Sequence, residues 1–152
     1  MLLRVAELNA AYASVIDGDR LEEWPDFFLP HCLYKITSAE NEKRGYAAGI
    51  VYADSQDMLR DRVTAMRSAN IFERHSYRHI IGLPLITETG PDFVRAETPF
   101  LVVRTMRTGA MDLFAAGLYR DHIREVDGRL LFGERRAICD SSHFDTLLVI
   151  PL

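Results

Sequence analysis

Glu73, His75 and His79 form the sharpest metal-like cluster in this sequence. Two imidazoles and a carboxylate make the facial set that non-haem iron favours. On a helix, His75 and His79 would share a face one turn apart. The run Tyr77-Arg78-His79-Ile80-Ile81 reads instead as a strand. There the two histidines stand about 13 Å apart at roughly 3.3 Å per residue, with Tyr77 between them, so one ion could not reach both. Hydrogen-bonded histidines of the core or of an interface are the expectation. Asp140-Ser141-Ser142-His143 brings a hydroxyl close to an imidazole but lacks the GxSxG elbow. Its hydroxyls are expected to cap backbone groups in a loop. Asp121 and His122 fall on opposite faces of a strand and form no dyad. The chain contains no phosphate-binding glycine loop, no dinucleotide fingerprint and no CxH…CxxH pair for a Rieske cluster.

A looser set could do acid–base work. Tyr34, Tyr52, Asp57, His75 and His79 would supply an acid and a base if one pocket gathered them, as isomerisation or dehydration requires. The competing expectation is that the aromatic residues fill that space and the polar groups satisfy one another.

The elements that must position these residues follow from periodicity. Val5, Leu8, Tyr12, Val15 and Ile16 recur at helical spacing, and Gly18 ends that stripe. Asp19 is placed to cap a short second helix through Trp24 and Phe28, which Pro25 leaves irregular and Pro30 stops. Residues 32–37 alternate as a strand, with Leu33, Lys35 and Thr37 opposite Cys32, Tyr34 and Ile36. The polar stretch from Ser38 to Gly49 reads as a loop. Ser55 caps a third helix that carries Met58, Leu59, Val63 and Met66, with Asp57 in its first turn.

Beyond about residue 75 the period becomes strand-like. Segments 75–87 (broken at Pro84), 93–105, 113–126, 130–139 and 146–150 are separated by turns at Thr89-Gly90-Pro91-Asp92, Thr108-Gly109 and Asp127-Gly128. No helical pattern lies between these strands, so the sheet is expected to be antiparallel. The fold class expected is α+β, with N-terminal helices packed in a strongly curved antiparallel sheet that forms a cone. Residues 1–152 are read as a single domain.

Composition narrows the function further. A net charge of −4 with arginines and acids interleaved offers no basic stripe for nucleic acid. No apolar run is long enough to span a bilayer, and Arg4, Glu7 and Asn9 interrupt any leader-like segment. The expected compartment is the cytoplasm, with Cys32 and Cys139 as buried free thiols. The apolar run Leu147-Leu148-Val149-Ile150-Pro151-Leu152 needs a cover, either as a core strand or against another chain.

Particular stretches carry a resemblance. They are residues 58–67 (Met58-Leu59-Arg60-Asp61-Arg62-Val63-Thr64-Ala65-Met66-Arg67), Asn70, and His75-Ser76-Tyr77-Arg78-His79. Phe100-Leu101-Val102-Val103-Arg104, Asp112-Leu113-Phe114-Ala115-Ala116-Gly117, Cys139-Asp140-Ser141-Ser142 and Asp145 through Leu152 complete them. The chain resembles the small (β) subunits of Rieske-type aromatic-ring-hydroxylating dioxygenases over nearly its whole length. Its nearest likeness is to small subunits of enzymes for aromatic carboxylates such as terephthalate, salicylate or anthranilate.

That resemblance implies a cone of the nuclear-transport-factor-like (cystatin-like) type and a structural, non-catalytic role. The Rieske [2Fe-2S] cluster and the mononuclear non-haem iron would reside on a large (α) subunit, with three large and three small chains assembled together. A reductase, often with a ferredoxin, would deliver electrons from NADH for ring cis-dihydroxylation. No catalytic, cofactor or metal residue is then expected on this chain. Arg60, Arg62, Arg67, Arg78 and Arg104 are forked donors suited to carboxylates across an interface, and Pro151 and Leu152 would lie under a neighbouring subunit. The alternatives are a stand-alone cone-fold isomerase or dehydratase and a small-molecule binding protein, both of which need an open pocket.

Overall fold

The computed structural model describes residues 1–69, 74–144 and 150–152. It opens with helix α1 (Leu2–Asp17), whose Val5, Tyr12, Val15 and Ile16 are buried as the stripe requires. A 3-10 helix (Leu21–Phe27) follows, with Pro25 inside it. Asp19 is not its cap. It adopts φ 56°, the helix starts from Arg20 without a side-chain cap, and the Asp19 carboxylate accepts from Arg67 instead.

Strand β1 (Phe28–Ser38) then enters the sheet. The segment expected as a loop contains a short helix, α2 (Ala39–Lys43), because Ser38 Oγ accepts from Asn41 N at its start. Strand β2 (Val51–Ser55) runs straight into α3 (Gln56–Ser68), and Ser55 Oγ accepts from Met58 N as its cap. The strands β3 (His75–Ile81), β4 (Leu85–Thr89), β5 (Phe93–Met106), β6 (Met111–Val126) and β7 (Arg129–Cys139) follow. The β6–β7 hairpin turns on Asp127 and Gly128 at φ 50° and 77°, the doubly left-handed turn that an Asp-Gly pair favours.

The sheet order is β2-β1-β7-β6-β5-β3, with β4 also pairing with β5. One expectation is corrected here. The sheet is mixed, because β1 lies parallel to β7. The other pairings are antiparallel. A strand from the N-terminal half has been inserted between β2 and the last described strand, and the long intervening chain permits the parallel sense. The inserted strand is covered on both faces from Tyr34 to Ser38, so its alternation disappears there. Lys35 is buried with its ammonium donating to Tyr46 O and lying 3.8 Å from Glu42.

The helices α1 and α3 and the 3-10 helix pack on the concave side, where Trp24, Phe28, Tyr34, Tyr12, Tyr119 and Phe132 form the largest part of the core. Cys32 and Cys139 are free and buried. The strand expected at 146–150 falls almost wholly outside the described residues.

Candidate functional site

Two regions compete as the functional site: the polar centre of the concave side and the convex face of the sheet. At the centre sits Arg135, fully buried on β7. Its Nε and Nη2 donate to Asp121 at 2.9 and 2.7 Å, and Nη2 also donates to Asn9 Oδ1. Asn9 in turn donates to Thr98 at 3.2 Å. The guanidinium lies over the rings of Tyr12, Tyr119 and Phe132 at 4.3, 4.0 and 3.9 Å. Cation–π contact and a two-armed carboxylate therefore share one desolvated charge. Burial pushes the Asp121 carboxyl up, and Arg135 opposes that shift. Burial also favours losing the Arg135 proton, but Asp121 outweighs it and holds the guanidinium charged.

Leu152 is seated beside this centre. Its carbonyl oxygen accepts from Tyr12 at 2.7 Å and Tyr34 at 3.0 Å, and its N–H donates to the Tyr34 hydroxyl. Pro151 and Leu152 are both buried by their own chain. A neighbouring subunit was the expected cover for these two residues. The structure gives them an intramolecular one, because two buried phenols take up the Leu152 backbone.

The acid–base set does not assemble. Tyr34 is committed to Leu152 in the core. Tyr52 is half-exposed on β2, and Asp57 is exposed in the first turn of α3. His75 and His79 stand on β3, at the other end of the sheet order from β2. His79 is paired with a residue outside the expected set: Asp17 Oδ1 lies 2.6 Å from Nδ1, and Asp17 Oδ2 accepts from the His79 backbone N–H. The pair borders a groove of about 540 Å³ between α1 and β3, which Arg20 and Arg78 also line. Glu73 lies outside the described residues. Among the described residues no group of three His, Cys, Asp or Glu could hold a metal ion. Ser141 and His143 form a small loop in which Ser141 Oγ accepts from His143 N, as a capping hydroxyl.

The convex face has a different character. Cross-strand partners place Ile80, Leu101 and Ala116 in one row, Arg78, Val103 and Leu113 in the next, and Ser76, Thr105 and Met111 in a third. Ile80 is 54% exposed, Leu113 63% and Met111 68%. Arg78, its side chain 73% exposed and 4.0 Å from Asp17, stands within this apolar field. The other arginines have intramolecular work. Arg60 pairs with Asp26 at 2.8 Å, and Arg67 pairs with Asp19 at 2.8 Å and Glu22 at 2.7 Å, so both tie α3 to the segment before β1. Arg62 is half-buried on the same helix. Arg104 is a correction: it is buried on the concave side, held by Asp112 at 2.7 Å and lying over Phe114 at 4.8 Å. The backbone alternation that turns Val103 outward turns Arg104 inward.

Comparison with known proteins adds to this geometry. Residues 2–136 match the family model of the SnoaL-like domain. The chain is 51% identical over 150 residues to the terephthalate 1,2-dioxygenase terminal oxygenase component subunit beta 1 of Comamonas sp, covering 99% of this chain and 97% of that one. It is 38% identical over 146 residues to the anthranilate 1,2-dioxygenase small subunit of Burkholderia cepacia, covering 95% and 90%. The chain belongs to the dioxygenase small subunits. A solved aromatic-ring-hydroxylating dioxygenase beta subunit from Novosphingobium aromaticivorans superimposes on it with a TM-score of 0.92 at 38% identity, covering 99% and 96%. The fold class read from sequence is thereby borne out, as a SnoaL-like curved sheet with helices on its concave side. For a dioxygenase small subunit, an interior filled by its own aromatic residues and an apolar outer face make the convex sheet the candidate functional surface. No helix among the described residues is long and apolar enough to cross a membrane.

Sequence reasoning missed Asp17, Asp121 and Arg135. Asp17 follows Ile16 at the end of the α1 stripe and looks like a polar terminus. Asp121 and Arg135 did carry a signal, since each alternates in phase with buried neighbours on its strand.

Proposed function

We propose that this chain is the structural small subunit of a Rieske non-haem iron dioxygenase that cis-dihydroxylates an aromatic carboxylate, terephthalate being the first candidate. The observation that carries the substrate class is the 51% identity over 150 residues to a terephthalate dioxygenase subunit. In this reading the iron centres belong to the large subunit. No catalytic step falls to this chain in that reading.

The role is assembly. Three small chains support three large ones, a reductase with or without a ferredoxin supplies electrons, and the complex works in the cytoplasm as one domain per small chain. The large subunit covers the convex face around Ile80, Val103, Leu113 and Met111, with Arg78 supplying a charge-assisted contact to a carboxylate. Arg60, Arg62 and Arg67, on α3 away from that face, are proposed as a separate contact within the assembly.

Co-expression with the neighbouring large subunit tests this. The wild-type pair is expected to purify as one hetero-oligomer that oxidises terephthalate when electrons are supplied. Arg78→Glu and Leu113→Asp are expected to release the large subunit while leaving this chain folded. A wild-type chain that never forms the hetero-oligomer sinks the assembly role. A complex that assembles but turns over anthranilate and not terephthalate sinks only the substrate.

A further inference from the structure

The apolar rows of the convex face end against a wall. Two residues beyond Leu101 and Ala116, the same face carries Pro99, Leu118 and Ile138 in cross-strand register. Thr37 of β1 completes that row beside Ile138. The short helix α2 stands over this end of the sheet. Its Glu42 accepts from Arg136 at 3.0 Å and from Arg120 at 3.4 Å, and Lys35 Nζ lies 3.8 Å from the same carboxylate. Ile138 points outward and is still only 7% exposed. Between helix and row lies a hollow of about 350 Å³. Leu118 and Ile138 line it from the sheet, and Ala39 and Glu42 from α2. Arg120 and Asp140 stand at opposite ends, two residues either way along the paired strands. Asp140 N–H donates to Ala116 O, so the hollow adjoins the row of Ile80, Leu101 and Ala116.

We propose that this hollow is the socket for one bulky apolar side chain, an aromatic ring by preference, of the large subunit. The inference rests on the assembly role of the convex face and names where that contact is anchored. Continuity with the field around Leu101 and Leu113 makes the large subunit the occupant. The chemistry of the occupant follows from the lining. Its floor is two aliphatic side chains. Glu42 already serves Lys35, Arg120 and Arg136, and Arg120 also donates to Glu97 at 3.0 Å. A charged visitor would have to break one of these pairs, whereas an apolar one leaves them as its polar ring. The volume sits at the small end of the roughly 300–1,000 Å³ typical of ligand pockets, which suits a single side chain. Protein interfaces are anchored in this way, by an aromatic or aliphatic group in a pocket with polar residues around it.

Ala39 is exposed at the start of α2, so Ala39→Trp fills the hollow from outside the sheet. Complexes of the full small chain with its large subunit are co-expressed, purified through a tag on the large subunit and diluted until they dissociate. Ala39→Trp is expected to raise the dissociation concentration at least tenfold and Leu118→Ser at least fivefold, while Ala39→Ser leaves it within about twofold. Both deficits should persist at about 1 M salt, where exposed charges are screened. Circular dichroism and the Tm of each small chain separate a lost contact from a lost fold, and Ala39→Trp carries the test alone should Leu118→Ser not fold. A wild-type chain that forms no complex overturns the assembly role and the socket with it. Complexes broken by Leu113→Asp but indifferent to Ala39→Trp overturn the socket alone. So does a deficit that vanishes in salt, which marks a charged occupant. An Ala39→Trp chain that loses only self-association also overturns it, because the occupant is then a second copy.

Discussion

Replacing Arg135 by leucine isolates the buried charge pair at the heart of the fold. The substitution removes both hydrogen bonds to Asp121, the bond to Asn9 and the cation between three rings. What remains is a fully buried carboxylate with no cation beside it. Breaking one side of such a pair costs about 3–5 kcal/mol. That is a large share of the roughly 5–15 kcal/mol by which a domain is stable. The defect should depend on pH. Burial already raises the Asp121 carboxyl in the wild type, and losing Arg135 removes the groups that pull it back. An acid raised in the folded state is stabilising to protonate, so that contribution is present at low pH and is lost as pH climbs from the ordinary carboxylate range to the raised value.

Urea unfolding of Arg135→Leu should therefore show its largest deficit near pH 8. The deficit should shrink towards about pH 5, by about 1.4 kcal/mol for each unit that the carboxyl rises beyond its wild-type position. The double variant Arg135→Leu/Asp121→Leu should recover part of the loss, because no charge is left unpaired. A deficit below about 1 kcal/mol, a deficit independent of pH, or a double variant no more stable than the single one would refute this account of the core.

Three further outcomes are expected. Gly117 sits where a Cβ would meet Ile138 O at 2.0 Å, so Gly117→Ala should force β6 and β7 apart and cost about 1–3 kcal/mol in thermal or urea unfolding. A cost within experimental error would mean that the strands are free to separate. Burial pushes the Cys32 thiol up to about 11 and the Cys139 thiol up to about 12, so neither should react with an aromatic disulfide reagent in the folded chain near pH 8. Both should react once urea unfolds it, and fast native labelling of Cys139 would contradict its burial. Ser55→Ala should remove the α3 cap and cost about 1 kcal/mol, with no effect on β7 or the central charge pair.

The sequence was most readable where one periodicity ruled. The α1 stripe, the Ser55 cap and the Asp127-Gly128 hairpin are each set by local chemistry, and the structure has them. It was least readable where a contact spans the chain. Nothing in residues 28–38 announces that β1 will lie beside β7 in parallel, because register with a distant strand leaves no local pattern. The short α2 was hidden for the opposite reason. Its five residues are too few to show a period, and one Ser38 hydroxyl decides it.

The candidate surface was only partly legible. Arg78 and the apolar residues around it alternate outward as strand residues should, but Arg104 belongs to the other phase and was misplaced with them. The buried Arg135–Asp121 pair was passed over because a charged residue in an alternating strand is ordinarily assigned to water.

The parallel seam between β1 and β7 also governs when the molecule can fold. Across it Tyr34 pairs with Arg135 and Ile36 with Ala137, and beside it Asn9 meets Arg135 across 126 positions. Closing such distant contacts makes folding slow relative to a sheet of simple hairpins. During synthesis β1 emerges long before β7, with Tyr34 and Ile36 and no strand on one side. The nascent chain therefore carries an open apolar edge for most of its translation, at the stage when such edges aggregate. Its cellular yield should respond to chaperone supply and translation speed more than the stability of the finished fold would suggest.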